Sequence, residues 1–131
     1  FRSRYRENPD HVTDVFLDEV WALLQTPGGG AAIENMARRY RKRQGILWMA
    51  TQEVDEFLHR EVGQRILKIT GSTILMSQTD YAADGLQDLL HFSDYIKSLL
   101  VELPTGKAVM KLPVGLKVVR NYVPEDVPGV L

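Results

Sequence analysis

Apolar residues in this chain come in short unbroken runs separated by longer stretches with helical spacing. Residues 15–18 (VFLD) are a continuous apolar run closed by an acid, the pattern of a parallel strand covered on both faces. Residues 26–30 (TPGGG) carry a loop signal. Over residues 31–44, Ile33, Met36, Ala37 and Tyr40 recur at i, i+3, i+4 and i+7, which predicts an amphipathic helix with one buried stripe, stopped by Gly45. Residues 45–51 (GILWMAT) read as a second short strand, again running into polar residues, Gln52 and Glu53. Val54, Phe57, Leu58, Val62, Ile66 and Leu67 predict one helix, or two broken near Gly63.

A third strand is expected over residues 72–77 (STILMS) and a short helix over 84–91. Ser93 can cap a further helix whose apolar stripe is Ile96, Leu99, Leu100 and Leu103, and residues 104–106 (PTG) end it. KAVMKL and LKVVRNYV, joined by PVG, predict a β-hairpin. Strands alternating with helices imply right-handed crossovers and a mainly parallel sheet. The expected order is therefore βαβαβα and a hairpin in one α/β domain over residues 1–131, with residues 1–13 irregular.

Composition narrows the classes of function. The 131 residues are 44% apolar and 25% charged, enough for a buried core. With 16 basic and 17 acidic residues the net charge is −1, so nothing in the bulk balance points to nucleic acid or an anionic membrane. The absence of cysteine removes disulfides, thiolate nucleophiles and thiolate zinc sites, and suits a reducing compartment. The longest apolar run, ILWMA, is far short of the roughly 20 residues of a membrane helix, and no signal peptide is recognisable. The chain opens on Phe1 and an aperiodic FRSRYRENPDH, which leads us to expect a piece of a longer protein.

In an open parallel sheet, ligands bind beyond the carboxyl ends of the strands, so the residues just after each strand carry the candidate chemistry. Asp18 and Glu19 follow the first strand. A rigid strand end can hold one carboxylate on the water shell of Mg²⁺, while the second orients or deprotonates an attacking water. The alternative is a strand that ends and a helix that begins, with acids favoured by the helix dipole. Gln52 follows the second strand, where a glutamine can hydrogen-bond both a water and a terminal phosphate, although Thr51-Gln52 is also an ordinary helix start. If the two strands are parallel neighbours, Asp18, Glu19 and Gln52 share one rim.

The third feature is the basic run Arg38, Arg39, Arg41, Lys42 and Arg43. It can be a solvated face that offsets the negative helix end, or it can supply an arginine finger to a neighbouring subunit's nucleotide. Spacing alone favours the solvated face, and no interleaved aromatics support a DNA contact. His11, His59 and His91 have no metal-ligand spacing. The glycines at 28–30 lack the Lys-Ser/Thr of a phosphate-binding loop, and Gly106-Lys107 lacks the upstream Gly and the following hydroxyl.

Taken in order, VFLDEVWALL, ENMARRYRKRQGILWMATQEVDEFL and GQRILKITGSTILMSQ resemble the carboxyl half of the RecA-like motor domain in type IV secretion and conjugation ATPases of the VirB/TraC kind, within the HerA–FtsK group of P-loop motors. The resemblance runs from Val15 to about Pro124. Its specificity lies in the ordered set: strand-Asp-Glu-x-Trp, a basic helix with Arg-Lys-x-x-Gly, and strand-Ala-Thr-Gln. It implies that Asp18 and Glu19 are the Walker B pair, Asp18 on Mg²⁺ through water and Glu19 activating water. Gln52 would sense the phosphate, and Arg41, with Arg43 behind it, would be the finger. It further implies ATP and Mg²⁺ as ligands, a hexameric parent, other secretion-machine subunits as partners, DNA or protein as cargo, and a cytoplasmic location at the inner face of a bacterial membrane.

The family's P-loop strand and helix are absent from this chain, so half an active site is expected, inactive alone and binding nucleotide weakly or not at all. Without that central strand the Asp18 strand lacks a neighbour, and the chain is expected to self-associate through the gap or leave its amino-terminal stretch disordered. The segment TDYAADGLQDLLHFSDYIKSLL is expected to serve packing and subunit contacts. Two other readings stay open: a non-catalytic α/β interaction module, and a HerA/FtsK-like DNA translocase that shares the same core residues.

Overall fold

The computed structural model describes residues 14–42 and 45–120, which fall into two compact units that meet in sequence at Ile66 and Leu67. In the first, strand β1 (Asp14–Leu17) is followed by the short helix α1 (Val20–Leu24), helix α2 (Gly29–Lys42), strand β2 (Ile46–Met49), and helices α3 (Val54–His59) and α4 (Glu61–Ile69). β1 and β2 pair in parallel with Asp14 opposite Ile46 and Leu17 opposite Met49. A parallel pair needs a crossover of a dozen residues or more, and α2, which packs against β2, provides it.

Side chains alternate across the pair. Val15, Leu17, Leu47 and Met49 are half-buried, whereas Asp14, Phe16, Ile46 and Trp48 face outward. Phe16 is 73% exposed and stacks on Trp48, ring centroids 5.7 Å apart and planes 5° from parallel. The expected cover on both faces is therefore found on one face only among the described residues, since no described helix lies over Phe16. The core of this unit is Val20, Leu24, Ile33, Phe57 and Ile66.

The helical stretch after β2 breaks at Arg60, whose backbone is extended (φ −109°, ψ 127°), and not at Gly63. Gly63 is buried inside α4 because a Cβ there would lie 2.5 Å from the Phe57 carbonyl oxygen and 2.8 Å from its Cα. The glycine permits close approach of the two helices. The break is held by side chains: the Arg60 guanidinium donates to the Leu24 carbonyl at 3.3 Å, and the Gln64 amide donates to the Leu58 carbonyl at 2.7 Å. Both satisfy carbonyls that helix ends leave without a partner. Between α2 and α4, Glu34 accepts from Arg38 at 2.7 Å and from Arg65 at 3.3 Å. These cations, Arg38 foremost, hold the Glu34 carboxyl below its ordinary range, against an opposing effect of burial.

The second unit contains strand β3 (Thr73–Leu75), helices α5 (Asp80–Leu90) and α6 (Asp94–Glu102), and strands β4 (Lys107–Leu112) and β5 (Gly115–Arg120). β3, β4 and β5 form an antiparallel sheet in that order, with Leu75 opposite Val109 and Val109 opposite Val118. Among the described residues parallel pairing is thus confined to β1 and β2. β3 is an edge strand of this sheet, paired with β4.

α5 starts four residues earlier than its apolar spacing suggested: Thr79 caps it, the Thr79 hydroxyl accepting from Ala82 N–H at 3.2 Å. Ser93 caps α6 in the same way, its Oγ accepting from Ile96 N–H at 3.4 Å. Lys97 of α6 pairs with Asp84 of α5. Leu75, Ala82, Ala83, Leu86, Phe92, Leu100, Leu103, Ala108 and Val109 make this unit's core. No described helix is long and apolar enough to cross a membrane. The expectations for residues 1–13, for Arg43 and for the chain beyond Arg120 lie outside the described residues.

Candidate active site

The first strand ends where the chain must turn from an extended run into a helix, and Glu19 makes that turn in the left-handed region (φ 47°, ψ 48°). For a residue with a Cβ this costs about 1–2 kcal/mol. Three contacts hold it there. The Asp18 carboxylate accepts the Glu19 N–H at 2.9 Å, Val20 N–H donates to the Ala50 carbonyl at 3.0 Å, and the Trp21 indole N–H donates to Glu19 Oε2 at 2.7 Å. Left-handed backbone at a non-glycine is a conformation that persists where surrounding contacts over-determine it, and such positions cluster at functional sites.

The parallel pairing continues past the strands. Ala50 N–H donates to the Leu17 carbonyl at 2.9 Å while the Ala50 carbonyl accepts from Val20, so Ala50 is bracketed by the residues on either side of Asp18-Glu19. The tail of β2 then continues directly to Thr51 and Gln52. Thr51 Oγ1 accepts from Glu53 N–H at 3.2 Å and turns the chain into α3, leaving Gln52 exposed at that corner. Asp18, Glu19 and Gln52 therefore occupy the same carboxyl rim of one parallel strand pair. Asp18 is exposed and Glu19 half-buried.

The basic run lies at the other end. α2 leads back to the start of β2, so Arg38, Arg39, Arg41 and Lys42 approach the amino edge of the pair, where Asp14 faces Ile46. Four residues of strand separate the two edges, about 13 Å at ~3.3 Å per residue. Arg38 is engaged by Glu34. The side chain of Arg41 and the whole of Arg43 lie outside the described residues; the backbone of Arg41 belongs to the last turn of α2.

Trp21 was legible as part of the sequence pattern but not as a partner of Glu19. Residues two apart on a regular helix do not face each other. Glu19 precedes α1 in left-handed backbone, and sequence spacing carries no sign of that conformation or of the contact. Among the described residues no group of three or more His, Asp or Glu side chains is disposed to hold a metal.

No protein-family model matches the chain, and no curated protein does. Among solved structures, that of VirB4 of Thermoanaerobacter pseudethanolicus matches with a TM-score of 0.80 and 25% identity, over 90% of this chain. The chain spans about a third of that protein, 33% of its length. Over nine-tenths of its length the chain is thus similar to one segment of VirB4, in agreement with the resemblance of its sequence to the motor domain of VirB/TraC-type ATPases.

Proposed function

We propose that the chain is the Walker B and sensor-glutamine part of an ATP-hydrolysing motor that energises type IV secretion or conjugative transport, acting within a larger, hexameric protein. The observation that carries this reading is the bracketing of Ala50 by Leu17 and Val20, which gives Asp18, Glu19 and Gln52 a common rim. An isolated acidic pair after a strand is common; an acidic pair and a glutamine on adjacent parallel strand ends puts a Mg²⁺-holding carboxylate, a base and a water-orienting amide within one rim, the roles that phosphoryl transfer to water needs.

The donor set fits Mg²⁺ with ATP. Mg²⁺ keeps several waters and is bound through one or two carboxylates together with phosphate oxygens, so it needs no cluster of protein ligands. Asp18 would hold it from the rim, and when bound it would neutralise charge on the phosphates. Asp18 Oδ1 already accepts the Glu19 N–H, which holds the carboxylate at the strand end. Glu19, one residue further, takes the proton of the attacking water as general base. Gln52 donates to the terminal phosphate and accepts from the same water, which orients it.

Arg41, with Arg43 as second candidate, serves a neighbouring subunit, because its own rim lies at the opposite end of β2. In the intact assembly the motor works in the cytoplasm against the inner face of the membrane, beside other secretion-machine subunits and with DNA or protein as cargo. In the full-length protein, Glu19→Gln should abolish ATP turnover and leave ATP binding intact. Hydrolysis at the wild-type rate would remove Glu19 from the base role and return the rim to a plain strand end.

A further inference from the structure

We infer that Trp21 is a positioning residue for the catalytic carboxylate: its indole N–H locks one oxygen of Glu19 and leaves the other as the base. The inference rests on the assignment of Glu19 as general base. Its observation is separate, a 2.7 Å hydrogen bond from Trp21 Nε1 to Glu19 Oε2.

Two features distinguish this contact from an incidental surface pair. It joins Trp21 to a residue two positions earlier that caps α1 in left-handed backbone, a pairing that two positions inside a regular helix would not make. In addition, Trp21 is half-buried in α1, whose flanking residues Val20 and Leu24 are core, so the donor is anchored in a packed element.

A glutamate has three rotatable side-chain torsions and, exposed on a rim, would sample many positions for its two oxygens. A general base must lie within hydrogen-bond reach of the proton it takes. Asp18 fixes the backbone of Glu19 through its N–H, and Trp21 fixes the far end of the side chain through Oε2. Oε1 has no hydrogen-bond partner among the described residues and is the oxygen left to accept a proton from water. An aliphatic residue at position 21 would occupy the same half-buried place on α1 but supply no donor.

The test has two arms. In this chain, ¹⁵N-labelled tryptophan gives two indole signals, Trp21 and Trp48, assigned with Trp48→Phe. The Trp21 indole proton should move upfield in Glu19→Ala while that of Trp48 stays. In the full-length protein, 3-benzothienylalanine at position 21 keeps the bicyclic shape and deletes only the N–H. We expect kcat to fall about tenfold, the loss of one hydrogen bond to a charged group, with KM for ATP unchanged. Trp21→Phe should do the same with a larger loss of stability.

An indole signal indifferent to Glu19→Ala would overturn the contact itself. A normal indole shift response combined with wild-type kcat in the benzothienyl protein would make Trp21 structural only, provided Glu19→Gln is inactive. Full activity of Glu19→Gln would remove the base assignment, and the positioning role with it.

Discussion

Gly63→Ala places a methyl group on the tightest helix junction of the first unit. A solvent-facing Gly→Ala change inside a helix would stabilise by ~1 kcal/mol through helix propensity. Here the new Cβ would sit 2.5 Å from the Phe57 carbonyl oxygen, 2.8 Å from its Cα and 3.0 Å from its carbonyl carbon. All three are backbone atoms, so no rotamer change relieves the overlap, and α3 must move away from α4. Overpacking of this kind costs about 1–3 kcal/mol, and backbone involvement points to the upper part of that range. After the propensity gain the net loss is about 1–2 kcal/mol. With an m-value near 2 kcal/mol/M, the urea midpoint should fall by roughly 0.5–1 M. Circular dichroism at the helix band and tryptophan fluorescence would both follow it, since Trp21 and Trp48 belong to this unit. Gly71→Ala is the control: nothing lies within 4 Å of its Cβ position and its backbone is not left-handed, so its midpoint should stay or rise. A Gly63→Ala protein as stable as the parent would show that α4 does not need to approach Phe57 as closely as its backbone indicates.

Thr79→Ala removes the cap of α5 and should cost about 1 kcal/mol, read as a lower thermal midpoint; no change would mean that Ala82 N–H finds water at no cost. Glu34 has its folded pKa lowered, chiefly by Arg38, so its contribution is fully present above its unfolded value of about 4.3 and is lost as pH falls through the lower folded value. Glu34→Gln should therefore flatten the acid side of the stability profile and leave its slope near pH 7 unchanged, measured by urea unfolding at a series of pH values; an unaltered acid limb would remove Glu34 from the linkage. Mixing Arg41→Ala with Glu19→Gln full-length subunits should recover turnover that neither has alone, because about a quarter of interfaces in a random ring join an intact rim to an intact Arg41. Mixtures as inactive as their components would return Arg41 to a solvated helix end.

The elements were legible wherever one period dominated. The i, i+3, i+4, i+7 stripe of Ile33, Met36, Ala37 and Tyr40 predicted a helix over residues 31–44, and α2 (Gly29–Lys42) lies there, starting two glycines earlier inside the stretch read as a loop; Ser93 marked the start of α6. The start of α5 was missed because Thr79 and Asp80 precede the apolar stripe and signal only through capping chemistry. The break near Gly63 was misplaced by a few residues because glycine reads as a breaker in sequence, whereas here it is a packing residue inside α4. The partnership of β3 was not legible either. Its apolar run could join a parallel sheet or a hairpin, and pairing with β4 is decided by the returning hairpin more than by the run itself.

The places of the candidate residues along the strand pair were legible for a physical reason. Ligand chemistry in an α/β fold sits just after the strands, and strand ends are what a change from apolar to polar marks. Asp18, Glu19 and Gln52 could thus be located on a rim from sequence, needing only that β1 and β2 be parallel neighbours, which they are. The direction of α2 adds what spacing could not: a crossover helix must run back to the start of the next strand, so a basic run at its carboxyl end is carried away from the rim of its own chain. An arginine there either neutralises a helix end or reaches a site on another subunit. The same crossover that makes the strands parallel therefore separates the carboxylates from the carboxyl end of α2 within one chain. If the rim hydrolyses ATP with an arginine of this helix, the complete site exists only between subunits, and the subunit contact becomes part of the catalytic machinery.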